Sequence, residues 1–186
     1  QANGELVALE LQSGAVLWKQ AVAVSHSRSQ LGSLVDIDAE MALADGVVYA
    51  TAFQGKVVAV TEDSGTLLWG NEAVYGHTGV AVDHRQVLVT AVNDRVLALD
   101  RNNGAALWKN EQLVNRQLTA PVVMDEQIVV ADFEGFVHWL AREDGHLVAR
   151  IRLNRKSIRS TPLMLDQVLF VLSDNGELTA LQLKPQ

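Results

Sequence analysis

Asp36 and Asp38 flank Ile37 in the stretch Leu34-Val-Asp-Ile-Asp38, and their spacing is the first in this sequence that suggests chemistry. In an extended segment, residues two apart point to the same side, so both carboxylates would face one way. Such a pair accepts charge-assisted hydrogen bonds from arginine or lysine. It could also contribute to a calcium site or act as general acid and base. Calcium takes roughly 6–8 oxygen ligands, and the neighbours Val35, Ile37 and Ala39 bring no side-chain oxygen. Glycosidase carboxylates are recognised by their separation in space, which sequence spacing does not give. From spacing alone, a solvated turn is the simpler reading of the pair.

The remaining reactive residue types form no catalytic pattern. His26, His77, His84, His138 and His146 contain no pair at the spacing of a helical zinc site. His138 lies within a strand-like phrase and is expected at the edge of a core, and the others fall near turns. No serine sits in a Gly-x-Ser-x-Gly elbow. The chain has no cysteine, which excludes disulfides, thiolate metal sites and thiol catalysis. One basic cluster stands out, Arg150, Arg152, Arg155, Lys156 and Arg159. It could meet an acidic partner or lipid headgroups, but an exposed strand end with its following connection accounts for it. The formal net charge of −7 argues against nucleic acid, because neutralising phosphates needs a basic surface.

A repeat must position these residues. Asn3-Gly-Glu-Leu-Val-Ala-Leu9, followed by Ser13-Gly14 and Leu17-Trp18-Lys19, returns as Gln54-Gly-Lys-Val-Val-Ala-Val60 with Ser64-Gly65 and Leu68-Trp69. It returns again as Asn93-Asp-Arg-Val-Leu-Ala-Leu99 with Asn103-Gly104 and Leu107-Trp108. A weaker copy, Glu134-Gly-Phe-Val-His-Trp-Leu140 with Asp144-Gly145, has Ala149 where the tryptophan is expected, and a fifth begins at Asn175. The turn glycines Gly14, Gly65, Gly104 and Gly145 stand 51, 39 and 41 residues apart. Periods of roughly 40 residues match a four-stranded propeller blade, and the long first interval implies an insertion.

Each period divides into four short, β-branched strands separated by turn signals. The first complete set is Glu40–Ala44, Val47–Ala52, Lys56–Val60 and Thr66–Trp69; the next is Val80–Val82, Val87–Ala91, Val96–Leu99 and Ala105–Trp108. The third is Pro121–Met124, Ile128–Ala131, Phe136–Leu140 and His146–Arg150, and the last offers Pro162–Leu165, Val168–Leu172 and Leu178–Leu181. Strands such as Ile128-Val129-Val130 are apolar on consecutive residues, as expected of blades covered on both faces. The expected fold is all-β, a β-propeller of four-stranded antiparallel blades. Residues 1–24 would supply the last two strands of one blade and 25–38 an inserted loop. Complete blades would occupy 39–76, 78–114 and 119–153, and three strands of a final blade 160–183. That is about half of an eight-bladed ring, so the chain is expected to be a fragment, or half of a ring completed by another chain. Gln1 to Gly4 lack the features of a signal peptide, so any targeting information is expected to have been removed or to precede Gln1.

The phrase Ala98-Leu-Asp100 with Gly104-Ala-Ala-Leu-Trp108-Lys109 resembles the tryptophan-docking repeat of PQQ-dependent dehydrogenases. That resemblance implies that Trp18, Trp69 and Trp108 pack between adjacent blades, while Trp139 lies in a different strand. The succession Leu34-Val-Asp36-Ile-Asp38, Gly46-Val-Val-Tyr49, Asn93-Asp-Arg-Val96, Arg116-Gln-Leu-Thr-Ala-Pro121, Glu134-Gly-Phe136 and Glu143-Asp-Gly145 is more specific. It resembles the C-terminal half of the BamB family, periplasmic propeller lipoproteins of the outer-membrane β-barrel assembly (BAM) complex. The resemblance implies a non-catalytic scaffold without a cofactor. It implies that Asp36, Ile37 and Asp38 contact a POTRA domain of the barrel-inserting subunit BamA, and that unfolded outer-membrane protein clients are partners. It also implies a location at the periplasmic face of the outer membrane, held by a lipid anchor outside this chain. A Leu-x-Leu-Arg part of the family contact would lie upstream of Gln1, and the basic cluster has no counterpart in the family pattern. The competing reading is a quinoprotein-type oxidoreductase domain binding PQQ and calcium.

Overall fold

The computed structural model describes residues 4–22, 39–52, 55–76 and 78–182. Every named element in them is a strand, and all pairing within the sheets is antiparallel. A two-stranded sheet comes first, β1 (Glu5–Leu9) and β2 (Val16–Ala21). A four-stranded sheet follows, in order β3 (Ala42–Ala44), β4 (Val47–Thr51), β5 (Val57–Thr61) and β6 (Leu67–Asn71). The next holds β7 (Val80–Val82), β8 (Gln86–Ala91), β9 (Arg95–Asp100) and β10 (Ala106–Asn110). Another holds β11 (Val122–Met124), β12 (Gln127–Ala131), β13 (Phe136–Ala141) and β14 (Leu147–Arg152). The last contains β15 (Leu163–Leu165), β16 (Val168–Leu172) and β17 (Leu178–Gln182).

The sheets stack like blades, with β3, β7, β11 and β15 standing next to one another along one rim. Apolar layers fill the spaces between successive sheets. Leu6, Ala50, Val58 and Val60 fill the first space, and Tyr49, Val57, Val87 and Leu99 the second. Leu88, Val96, Ile128 and Leu140 fill the third, and Val129, Trp139, Leu169 and Val171 the fourth. This layering explains the consecutive apolar residues. β8 is buried at all six positions because sheets cover both of its faces. The outer strands behave differently, and β14 is exposed from Val148 to Arg152.

Local chemistry sets the strand limits. β11 and β15 begin one residue after Pro121 and Pro162, since proline has no N–H to give the ladder. The sequence places a strand from Glu40, but Glu40 makes only an isolated bridge to Gly79 and β3 starts at Ala42. The outer strands run beyond their tryptophan positions, to Asn71, Asn110 and Arg152. In each, a register shift follows the turn, so that Leu99 pairs with Ala106 but Ala98 with Trp108. The β3–β4 turn places Asp45 and Gly46 at φ of 51° and 72°, the left-handed pair that a tight hairpin requires.

The alternation of strand direction sorts the connections onto two ends. One end carries the β4–β5, β8–β9, β12–β13 and β16–β17 turns together with the links from each sheet to the next. The other carries the remaining hairpin turns.

Candidate functional site

Asp36, Ile37 and Asp38, like His26 and His77, lie outside the described residues. The described chain is well held on either side of residues 23–38, the segment that contains the acidic pair. The Val22 N–H donates to the Gly4 carbonyl at 2.8 Å, and the Val22 side chain is fully buried. On the far side Ala39 is buried, and the Glu40 carbonyl accepts from the Val80 N–H at 3.1 Å. Both anchors stand on the end of the stack that carries the links between sheets.

The same end holds a polar network built by the β12–β13 turn. Asp132 follows β12 directly, and its carboxylate is wholly buried. Oδ1 accepts from the backbone N–H of Glu134 at 2.9 Å and of Phe136 at 3.0 Å. Oδ2 accepts from Arg116 Nε at 2.6 Å and from His138 Nε2 at 2.8 Å. Burial alone would push the Asp132 carboxyl up, but these donors outweigh it, the His138 bond foremost, and hold it below the usual aspartate value. Arg116 also pairs with Glu134 at 2.9 Å, and it comes from the link between the second and third four-stranded sequence periods, so the network ties that link to the turn. In the corresponding turn of the preceding sheet, between β8 and β9, Asp94 clamps the same link, accepting from the N–H groups of Gln117 at 2.9 Å and Leu118 at 2.8 Å.

His138 is therefore not at a core edge, as its strand phrase suggests, but completely buried with Nδ1 lacking a partner. The burial has a physical cause. His138 faces the neighbouring sheet, and Asp132 supplies the acceptor that makes its burial tolerable. Sequence reading missed Asp132, although a signal existed: the equivalent positions in the two preceding repeats are Ala52 and Ala91, while those of His138 are Val58 and Leu97. Two polar replacements coincide in one repeat and meet in space.

The basic cluster divides into parts. The guanidinium carbons of Arg116, Arg150 and Arg152 stand 5.3, 5.6 and 5.0 Å from the centre of the Phe136 ring. Arg159 pairs with Asp174 at 3.1 Å. Arg155 and Lys156 are exposed.

The tryptophans tie one sheet to the next. Trp18 Nε1 donates to the Glu62 carbonyl at 2.8 Å, Trp69 Nε1 to Arg101 at 2.8 Å, and Trp108 Nε1 to Arg142 at 3.0 Å. Each indole lies against the turn glycine of the following sheet, Gly65, Gly104 or Gly145. A Cβ on Gly104 would stand 2.5 Å from the Trp69 ring, and φ there is +72°, so glycine serves both the close approach and the backbone conformation. Side-chain amides add to two of these joints, Asn71 Nδ2 reaching Gly104 O at 2.8 Å and Asn110 Nδ2 reaching Gly145 O at 2.7 Å. Arg101 reaches back to the preceding sheet, donating to Tyr49 Oη at 2.9 Å and Asp45 Oδ2 at 2.7 Å.

Residues 1–110 match the family described as outer membrane protein assembly factor BamB. The assembly factor BamB of Alkalilimnicola ehrlichii is 43% identical over 183 residues, 98% of this chain and 48% of that protein. The chain belongs to the BamB family. The Pseudomonas aeruginosa BamB is 36% identical over 179 residues, covering 96% of this chain and 47% of its own length. The crystal structure of BamB from Moraxella catarrhalis superposes with a TM-score of 0.88 at 24% identity, over 97% of this chain and 54% of that one, and shows the shared propeller fold. The chain spans about half the length of the curated BamB relatives it matches. These relatives are named as assembly factors, a name that carries no catalytic activity. Among the described residues, no group of three or more histidines and carboxylates is placed to hold a metal ion.

Proposed function

We propose that this chain is part of a non-catalytic scaffold for outer-membrane β-barrel protein assembly. In this reading it binds a POTRA domain of the barrel-inserting subunit BamA through Asp36, Ile37 and Asp38 and helps deliver client barrels. Its place is the periplasmic face of the outer membrane, where the intact protein is held by a lipid anchor. The observation that supports the reading is the interlocked stack, in which Val22 and Ala39, the described residues on either side of the segment 23–38 that contains the acidic pair, are both packed into the stack. Family membership supplies the assembly role.

The mechanism is placement. A stack tied at three of its joints by an indole hydrogen bond loses little conformational freedom on binding, so more of the contact energy appears as affinity. Two carboxylates on one segment attract a basic partner surface and speed the encounter, an effect that salt weakens.

The test is binding of the intact protein carrying this chain to the POTRA domains of its BamA, wild type beside Asp36→Arg/Asp38→Arg, with matched circular dichroism. The expected result is loss of binding in the double variant, by at least about 100-fold, since reversing a close charge pair costs several kcal/mol. Equal binding by both would remove the acidic stretch from the contact and leave the scaffold reading in place. Absence of binding by the wild type would overturn the partner, and uptake of added PQQ and calcium would then favour the quinoprotein reading.

A further inference from the structure

The outer strands β10 and β14 hold the same place in successive sheets. Lys109 pairs with Leu97 and Arg150 with His138, so Lys109 and Glu111 stand where Arg150 and Arg152 stand, and Arg95 where Phe136 stands. In the earlier sheet Glu111 joins two cations, Arg95 at 3.1 Å and Lys109 at 3.0 Å. In the later sheet the carboxylate position holds Arg152 and the arginine position holds Phe136. The guanidinium groups of Arg150 and Arg152 stand 5.6 and 5.0 Å from the centre of the Phe136 ring, with no carboxylate of β14 to join them. The ring attracts each cation but does nothing to cancel their mutual repulsion.

Nearby groups do not make up the deficit. Arg116, the third cation over the ring, is taken by Asp132 and Glu134. Arg152 Nε donates only to the carbonyls of Glu134 and Asn154, each at 3.2 Å. Among the described residues Arg150, Arg155 and Lys156 make no ion pair. The chain carries 22 acidic residues against 15 basic ones, so carboxylates are plentiful, and their absence around residues 150–156 is local.

The place is accessible and lies between two complete sheets. Leu140 packs with Leu88 and Val96 toward the β7–β10 sheet. Phe136 and His138 alternate onto the same face, and Arg150 and Arg152 are their partners across the ladder. β14 ends its sheet as the fourth strand and is exposed from Val148 to Arg152. Its outer edge can take an extended chain by backbone pairing. Residues two apart on such a chain would share a face with both arginines.

We propose that the outer edge of β14 binds an extended acidic segment of a partner protein, whose carboxylates, two residues apart, meet Arg150 and Arg152 in the role that Glu111 fills in the preceding sheet. An extended chain, unlike a lipid surface, uses the strand edge and the arginines together. The surface does not include residues 36–38, so this proposal and the POTRA contact stand or fall separately.

The experiment uses the intact protein carrying this chain, labelled with 15N, and follows the backbone amide resonances of Val148 to Arg152. The first probe is a capped pentapeptide of threonines with glutamate at its second and fourth positions. The second has glutamine at both, and the third has the two glutamates adjacent. The first peptide is expected to shift these resonances saturably, and less so at high salt. The glutamine peptide should bind about tenfold more weakly, since two exposed pairs are each worth a few-fold. The adjacent-glutamate peptide should fall between, with one carboxylate turned away. Arg152→Glu, which restores the charge pattern of the preceding sheet, is expected to weaken the first peptide at least about tenfold. Arg150→Gln/Arg152→Gln makes the same comparison without adding a carboxylate. No saturable shift would overturn the proposal and leave the arginines as a guard on the strand edge. Equal binding of the glutamine peptide, or undiminished binding by either variant, would also overturn it. Shifts produced by phosphatidylglycerol vesicles and not by the first peptide would assign the patch to a membrane instead.

Discussion

The joint between the β3–β6 sheet and the β7–β10 sheet differs from the joint between the β11–β14 sheet and the β15–β17 sheet in one transposition. At the first, Trp69 reaches across from the outer strand, lies on Gly104 and gives its N–H to Arg101. At the second, the ring comes from Trp139 on the third strand, its N–H is unpaired, and Ala149 takes the outer-strand position. Both joints bury an apolar layer, Tyr49 with Val87 and Leu99 in one, Val129 with Leu169 and Val171 in the other. The lesson is that apolar burial alone stacks the sheets, whereas the outer indole closes the joint and satisfies its polar atoms.

The largest effect that would break this comparison is truncation of the two rings. Trp69→Ala is expected to cost about 3–5 kcal/mol, the usual range for removing a packed tryptophan, read as a fall in denaturation midpoint with an unchanged slope. Trp139→Ala removes as large a ring but also an unpaired donor, so its cost should be smaller by about 1–3 kcal/mol, the penalty of a buried group without a partner. Equal losses would erase the distinction between the joints.

A second contrast lies in the turns at the end that carries the links. Asp132 is buried and holds four donors, while the equivalent position of the last sheet is Ser173, whose hydroxyl accepts from Asn154 Nδ2 at 3.0 Å. Because the folded carboxyl of Asp132 is held below its unfolded value, its stabilisation is present above the unfolded pKa near 3.8. It is lost as pH falls through the folded pKa. Asp132→Asn should therefore cost about 2–4 kcal/mol at neutral pH, toward the lower side of what breaking a buried ion pair costs. The gap from wild type should shrink steadily below about pH 4, as measured by denaturant midpoints across a pH series. A gap independent of pH would mean that the carboxylate charge contributes nothing.

The smallest and sharpest test exchanges only the indole nitrogen. Trp69→Phe should cost about 1–2 kcal/mol, because it strands the Arg101 carbonyl and shortens the ring. Trp139→Phe shortens a ring buried to the same degree but removes a donor without a partner, so it should cost about 1 kcal/mol less. Thermal midpoints of the two variants, measured side by side, decide it.

Much of this was legible in the sequence. The spacing of Gly14, Gly65, Gly104 and Gly145 marks the repeat, and the pairs of β-branched strands between turn residues give the sheets. A hairpin is a local structure, and its signals, such as Asp45-Gly46, sit within a few residues of one another. The absence of tryptophan at position 149 was equally plain. That Trp139 takes the inter-sheet place was not, because it depends on which face of β13 the ring projects from and on what the neighbouring sheet brings to meet it.

The sequence by itself determined the all-β repeat, the order of the sheets and the tryptophans able to tie them, because periodicity and turn chemistry act over short stretches of chain. Only the tertiary structure decided that Asp132, His138 and Arg116 form one buried network, and that Trp139 Nε1 and Gln127 Oε1 are buried without partners. These are relations across sheets, between side chains brought together by stacking. Burial, which gives an unpaired donor or a shared carboxylate its consequence, exists only once the stack has formed.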